Sequence, residues 1–214
     1  MENNQVALSQ SEVDKLLGIQ RDSKPSEPVA KKQYKVKNFL SEAQLNEVRD
    51  MCKLVYKYFK LSLRKKFGEP KIRKLTITSL EQQNIDEFFD TLTDNDFVYE
   101  AKFGRAKAYI KFDSFLFGAL SGMTIDTKHK INYFQSEVLK DFVAQFLLEG
   151  FARQLKKNCK TELKSIYNEN KESFKTGKTG LCVAINWNEN LRSFGIEKIF
   201  LTKELIKNFR TVEE

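Results

Sequence analysis

The spacing of hydrophobic positions predicts most of the chain's elements. Leu45, Val48, Cys52, Val55, Phe59 and Leu63 recur at steps of three or four, which gathers apolar side chains on one helix face. Ser41 and Gln44 stand as N-cap and third residue of a capping box, with Leu40 and Leu45 as its hydrophobic staple. Gly68 and Pro70 mark a stop. The spacing predicts a helix over 41–66. Leu75, Ile77 and Ser79 then alternate, predicting a strand over 72–79, and a short helical turn follows over 86–92. Two runs, 97–103 and 106–112, flank Gly104-Arg105, a two-residue loop with glycine first, and predict a hairpin. Asp113 is placed to cap a short helix reaching residue 119 or 120, which Ser121-Gly122 ends. A second stripe holds Leu139, Phe142, Val143, Phe146, Leu147, Gly150 and Phe151 and predicts a helix over 136–157. Strands over 161–167, 181–187 and 198–201 follow. Gly177-Lys178-Thr179-Gly180 reads as a turn, since it lacks the G-x-x-x-x-G-K-[ST] spacing of a phosphate loop. Helix, strand, short helix and hairpin, then helix and strands again, predict an α/β or α+β layer fold in two related halves.

Ahead of this pattern lies a separate segment, LSQSEVDKLL. Ser9 is placed as N-cap, Glu12 completes a capping box, and Leu8 and Val13 occupy the staple positions. Glu12 and Asp14 suit the positive end of a helix, and Gly18 stands where a terminating glycine belongs. Leu16 and Leu17 join Val13 on one side. An isolated helix shorter than ~12–15 residues is marginal in water. Two readings follow: a tethered peptide that orders when it docks in a partner's groove, or a terminal helix packed on its own domain. Residues 19–34 carry two of the three prolines among Ser, Lys and Glu, and read as a flexible linker. The organisation is a docking peptide over 1–18, a linker over 19–34 and a globular domain over 35–214.

Composition narrows the chemistry. The 37 basic against 29 acidic side chains leave a net charge of +8, but lysines alternate with acids along the chain. No localised basic motif marks a nucleic-acid binder. Cys52, Cys159 and Cys182 are far apart and form no C-x-x-C, so no metal site or cofactor is expected. The single histidine, His129, lies between Lys128 and Lys130 in a loop reading. Trp187 reads as packing, and Arg64-Lys65-Lys66 as a helix end. No apolar run reaches the ~18–20 residues of a membrane span, and MENNQVALSQ lacks a signal-peptide pattern. Membrane insertion is not expected, and the cytoplasm is the default address.

LSQSEVDKLL resembles the N-terminal LSQ-[DE]-E-[IV]-D-x-LL signature of the FliM family of flagellar motor switch proteins and of their relative FliY. The resemblance implies that this segment docks phosphorylated CheY, with Leu8, Ser9, Gln10, Glu12, Val13, Asp14, Leu16 and Leu17 at the motif positions. Ser11 stands where an acid is usual, and Lys15 where a small residue is. The likeness continues through FLSEAQL (39–45), SLEQQNIDEFFDTL (79–92), GRAKAYIKFDSFLFGAL (104–120) and LCVAIN (181–186). It implies a CheC-like, pseudo-twofold middle domain of α/β class, with two long helices packed on a mixed sheet. The family's Gly-Gly-x-Gly motif, a contact for the rotor protein FliG, corresponds to Ser121, Gly122, Met123 and Thr124, of which only Gly122 matches a glycine. The family's C-terminal β domain, which assembles with FliN, is not expected within these residues.

The implied function is a non-catalytic switch subunit at the cytoplasmic face of the inner membrane, in the flagellar basal body. Its partners would be phosphorylated CheY, FliG and neighbouring subunits of the same type. The alternative is a CheC- or FliY-type phosphatase of CheY-phosphate, which uses a Glu-x-x-Asn pair on a long helix. The equivalents on the first long helix are Asp50 and Lys53, and lysine cannot supply an amide. Glu81-Gln82-Gln83-Asn84 has the spacing but follows a strand. No phosphatase activity is expected.

Overall fold

A capping box opens the first long helix, α1 (Glu42–Phe67). The Ser41 amide donates to Gln44 Oε1 at 3.0 Å, and the Gln44 amide donates to Ser41 Oγ at 3.3 Å. Two donors that the helix start would leave unpaired are satisfied this way. Val48, Met51, Cys52, Val55, Phe59 and Leu63 are buried along one face, as the spacing predicts. The coordinates are a computed structural model, which describes residues 34, 36, 38–67, 74–114, 116, 132–166, 169–189 and 192–210. The 8–17 segment, residues 19–33 of the linker reading, 121–124 and His129 lie outside the described residues.

The first half continues with β1 (Lys74–Asn84), α2 (Ile85–Asp90), β2 (Asp96–Phe103) and β3 (Ala106–Asp113). β1 runs five residues past the predicted end at Ser79. Its register against the partner strand shifts between Ile77 and Ser79. A bulge of this kind moves the inward face by one position. Leu75, Ile77 and then Leu80 pack on the core, where strict alternation would have put Ser79. The β2–β3 turn is the two-residue loop expected, with Gly104 at φ +62°.

The second half repeats the first. A second long helix comprises α3 (Tyr133–Leu139), a π-helical turn (Lys140–Ala144) and α4 (Gln145–Ala152). Then come β4 (Thr161–Ser165), a 3₁₀ turn (Lys171–Phe174), β5 (Thr179–Glu189), β6 (Arg192–Thr202) and a short α5 (Lys203–Ile206). The second helix starts earlier than predicted because Asn132 is its cap. Asn132 Oδ1 accepts from the Gln135 amide at 2.9 Å, and Gln135 Oε1 accepts from the Asn132 amide at 3.1 Å. It also ends earlier, at Ala152. There the Lys156 amide donates to the Asn208 carbonyl at 2.8 Å, and the Arg210 amide donates to the Gln154 carbonyl at 3.0 Å. Backbone bonds to a distant segment replace the helical ones.

The six strands form one sheet in the order β1-β5-β6-β3-β2-β4. Exchanging the halves (β1 with β4, β2 with β5, β3 with β6) reproduces this order read backwards, so the sheet has a pseudo-twofold axis between β3 and β6. Every pairing is antiparallel. The α/β architecture with two long helices on a sheet is therefore the one expected, while the sheet is antiparallel rather than mixed. Two hairpins and their mutual pairing build it, and none of these contacts requires a parallel crossover.

Alternating side chains divide between the two sheet faces. Tyr99, Ala101, Ala108, Ile110, Val183 and Leu201 join the long helices in one core. Val98, Tyr109, Cys182 and Phe200 turn to the other face, where Ile85, Phe88 and Phe89 of α2 cover them. Phe89 stacks on Phe174 of the 3₁₀ turn at 5.4 Å. Tyr34, the last residue of the linker reading, donates its hydroxyl to Asp90 at the end of α2. Among the described residues, no helix is long and apolar enough to cross a membrane.

Candidate functional site

A carboxylate and an amide on a long helix would be the chemistry of a phosphatase, and the sequence placed its test at Asp50 and Lys53. On α1 these two side chains pair with each other: Lys53 Nζ lies 2.6 Å from Asp50 Oδ1 and both are exposed. The acid meets an ammonium, and the position three residues on carries no amide to orient a water. The two capping boxes give the equivalent places on the second helix, since Ser41 with Gln44 matches Asn132 with Gln135. By that match Asp50 corresponds to Asp141, inside the π-helical turn Lys140–Ala144, where the extra residue of a π turn breaks the one-to-one count with α1.

The remaining Glu-x-x-Asn spacing, 81–84, has a structural use. Gln82 Oε1 accepts the amides of Phe39 and Leu40 at 2.6 and 2.9 Å, and Gln82 Nε2 donates to the Leu40 carbonyl at 3.2 Å. This ties β1 to the chain just ahead of α1. Asn84 is the N-cap of α2: its Oδ1 accepts the Asp86 amide at 2.9 Å and its Nδ2 donates to the Gly177 carbonyl at 3.3 Å. Asn84 is buried. Its amide holds a helix start and a loop in place.

Among the other reactive groups, Cys159 is exposed, while Cys52 and Cys182 are buried. Burial pushes the Cys52 and Cys182 thiols up to about 12, which keeps them protonated and poor nucleophiles. Glu197 is fully buried and accepts from Tyr56 Oη at 2.8 Å and Trp187 Nε1 at 2.9 Å. Desolvation raises its carboxyl to about 8 against the pull of those two donors. Trp187 is thus a core residue, packed edge-on to Phe59 at 5.4 Å. Asp113 caps the segment after β3, its Oδ1 accepting the Leu116 amide at 2.9 Å and its Oδ2 the Ile196 amide at 2.7 Å. Burial raises its pKa, opposed by those amides and by Lys111. No cluster of His, Cys, Asp and Glu suited to a metal occurs among the described residues.

The described residues form a concave feature. A cleft of about 680 Å³ opens at one end of the sheet, where the β2–β3 turn, the start of β5, the end of β6 and the start of α5 meet. Arg105, Lys107, Lys178 and Lys203 line it, against the single carboxylate of Glu204. Thr176 and Thr179 add hydroxyls, and Phe39 and Ile85 an apolar wall. Next to the lining residue Thr179, a Cβ at Gly180 would meet Leu201 O and Phe200 Cζ at 2.5 Å, so only glycine lets the Phe200 ring lie across β5. Sequence reading missed this site because its cations come from separate segments. The one local signal was Gly177-Lys178-Thr179-Gly180, read as a turn.

The 8–17 and 121–124 residues lie outside the described part, so the geometry bears on neither.

No family model matches the chain, and no curated protein matches it in sequence. Solved structures do. In the structure of a FliM–SpeE complex from H. pylori, the matched chain is 13% identical over 79% of this chain and 96% of its own length, with a TM-score of 0.61. A FliG–FliM complex from H. pylori gives 13% identity, 78% and 98% coverage, and a TM-score of 0.60. FliY from Thermotoga maritima gives 10% identity, 79% and 95% coverage, and a TM-score of 0.58. At such identities the likeness is one of fold: this chain shares the fold of these FliM and FliY structures.

Proposed function

We propose that this chain is a non-catalytic, FliM-like subunit of the flagellar motor switch. Residues 8–17 bind phosphorylated CheY, and binding biases the direction of flagellar rotation. The observation that carries the reading is the coincidence, in one chain, of the LSQSEVDKLL signature with a fold shared by FliM chains. Sequence motif and fold are independent properties, so their agreement counts for more than either alone.

The mechanism is one of tethering and coupling. A short, well-capped helix too small to persist alone gains its order on the partner surface, and the linker holds captured CheY close to the globular unit. Leu8, Val13, Leu16 and Leu17 supply the apolar contacts, Ser9 and Glu12 the cap, and Gln10 and Asp14 the polar rim. The subunit meets FliG through Ser121, Gly122, Met123 and Thr124, and neighbouring subunits through its flanks, at the cytoplasmic face of the inner membrane. The absence of turnover is supported by the Asp50–Lys53 ion pair and by the capping role of Asn84.

The test compares the full chain with a chain lacking residues 1–18. Activated CheY is expected to bind the first and not the second, and neither is expected to hydrolyse CheY-phosphate. Equal binding by both would overturn the role of 8–17.

A further inference from the structure

In the cleft at the sheet end, Arg105, Lys107, Lys178 and Lys203 converge against the single lining carboxylate of Glu204. Among the described residues, Arg105, Lys178 and Lys203 have no ion-pair partner. Lys107 alone is neutralised, its Nζ 2.8 Å from Glu100 Oε2. The Lys203 ammonium sits 5.4 Å from the Phe39 ring centre, an attraction that leaves its donors unused. Like charges brought together in a concave wall repel, and the wall concentrates their positive potential in the cavity. On the same sheet face Lys111 is matched by Asp96 at 3.0 Å, whereas the three cleft cations have no such acid among the described residues.

Its size and lining indicate the counterpart. A volume of about 680 Å³ falls in the roughly 300–1,000 Å³ range of small-molecule sites and far exceeds a bare phosphate. Three separated cations suit an anion whose charge is spread over several oxygens. Thr176 and Thr179 offer hydroxyl donors, and Phe39 and Ile85 an apolar wall for an uncharged part. Gly177, at φ +67° with open space around it, lets the loop that carries Lys178 turn beside the cavity.

We propose that this cleft binds a phosphorylated small molecule of mononucleotide size, its phosphates held by Arg105, Lys178 and Lys203. The residues proposed to hold it are not those of 8–17, and its occupancy does not depend on the switch reading.

The test titrates the full chain with ADP and with inorganic pyrophosphate by calorimetry at physiological ionic strength, and follows the backbone amides of 177–180 by NMR. Saturable binding of ADP at one site is expected, with pyrophosphate competing and the 177–180 amides shifting. In Arg105→Gln with Lys178→Gln, both exposed and away from the core, affinity is expected to fall roughly tenfold or more, with an unchanged circular dichroism spectrum. Absence of saturable binding, binding unaltered by the double variant, or shifts confined to other residues would overturn the proposal. So would a glutamate-rich peptide that binds more tightly than ADP and displaces it, which would make the cleft a dock for acidic polypeptide.

Discussion

Tyr56 donates its hydroxyl to Glu197 at 2.8 Å across a sequence separation of 141 residues, and joins α1 to β6 inside the core. Trp187 of β5 meets the same carboxyl from the other side. Three elements therefore share one buried acid, and the acid's protonation enters the stability of the fold.

Glu197 keeps its proton in the folded protein up to about pH 8, whereas an ordinary glutamate releases it near 4.5. Between those values the folded state holds more protons than the unfolded one. Stability is therefore greatest below about pH 4.5 as far as this group is concerned. It declines as pH rises through the window, by up to about 1.4 kcal/mol per pH unit, and levels off above the upper value. Glu197→Gln keeps a partner for both Tyr56 and Trp187 and cannot ionise. Its urea midpoint is expected to be flatter than wild type between pH 5 and 8 and higher at pH 8. A parallel pH dependence in both proteins would exclude a buried titrating Glu197.

Gly180→Ala places a methyl group 2.5 Å from the Leu201 carbonyl oxygen and from the Phe200 ring. The oxygen is backbone in the sheet's β6, so it cannot swing away. The expected loss is ~1–3 kcal/mol or more, read as a lower denaturant midpoint with an unchanged slope. Wild-type stability would show that β5 and β6 lie further apart there.

Asn84→Ala removes the cap of α2 and the bond to the Gly177 carbonyl. The expected cost is ~0.5–2 kcal/mol, with no change in CheY-phosphate lifetime. If the variant instead slowed hydrolysis of CheY-phosphate relative to wild type, Asn84 would be a catalytic amide and the non-catalytic reading would fail.

On the proposed docking role of 8–17, Leu16→Ala with Leu17→Ala is expected to abolish binding of activated CheY while the thermal melt of residues 34–214 stays unchanged. Ser9→Ala is expected to weaken binding by ~0.5–2 kcal/mol through loss of the cap. Calorimetry on the full chain separates the two. Retained affinity in the double leucine variant would remove the apolar face from the interface.

Legibility followed the range of the forces involved. α1 and the β2–β3 hairpin were readable because their signals are local: a capping box, a stripe of period 3.6, a glycine at a two-residue turn. The second helix was misplaced at both ends for different reasons. Its start depends on an asparagine capping box, overlooked beside a strong apolar stripe. Its stop depends on backbone bonds from 154–156 to 208–210, which no local pattern encodes. β1 and β6 ran longer than their alternation because polar residues such as Glu81 and Gln83 pair in the sheet through backbone alone. The cleft was illegible as a whole, since Arg105, Lys178 and Lys203 come together only after the two halves pair.

Titration of the intact chain with CheY, carrying or lacking a phosphoryl mimic, addresses the switch reading most directly. Amide signals of 8–17 are expected to shift and broaden with the activated form, and to move little with the inactive one. Equal response to both forms, or no response at 8–17, would contradict it.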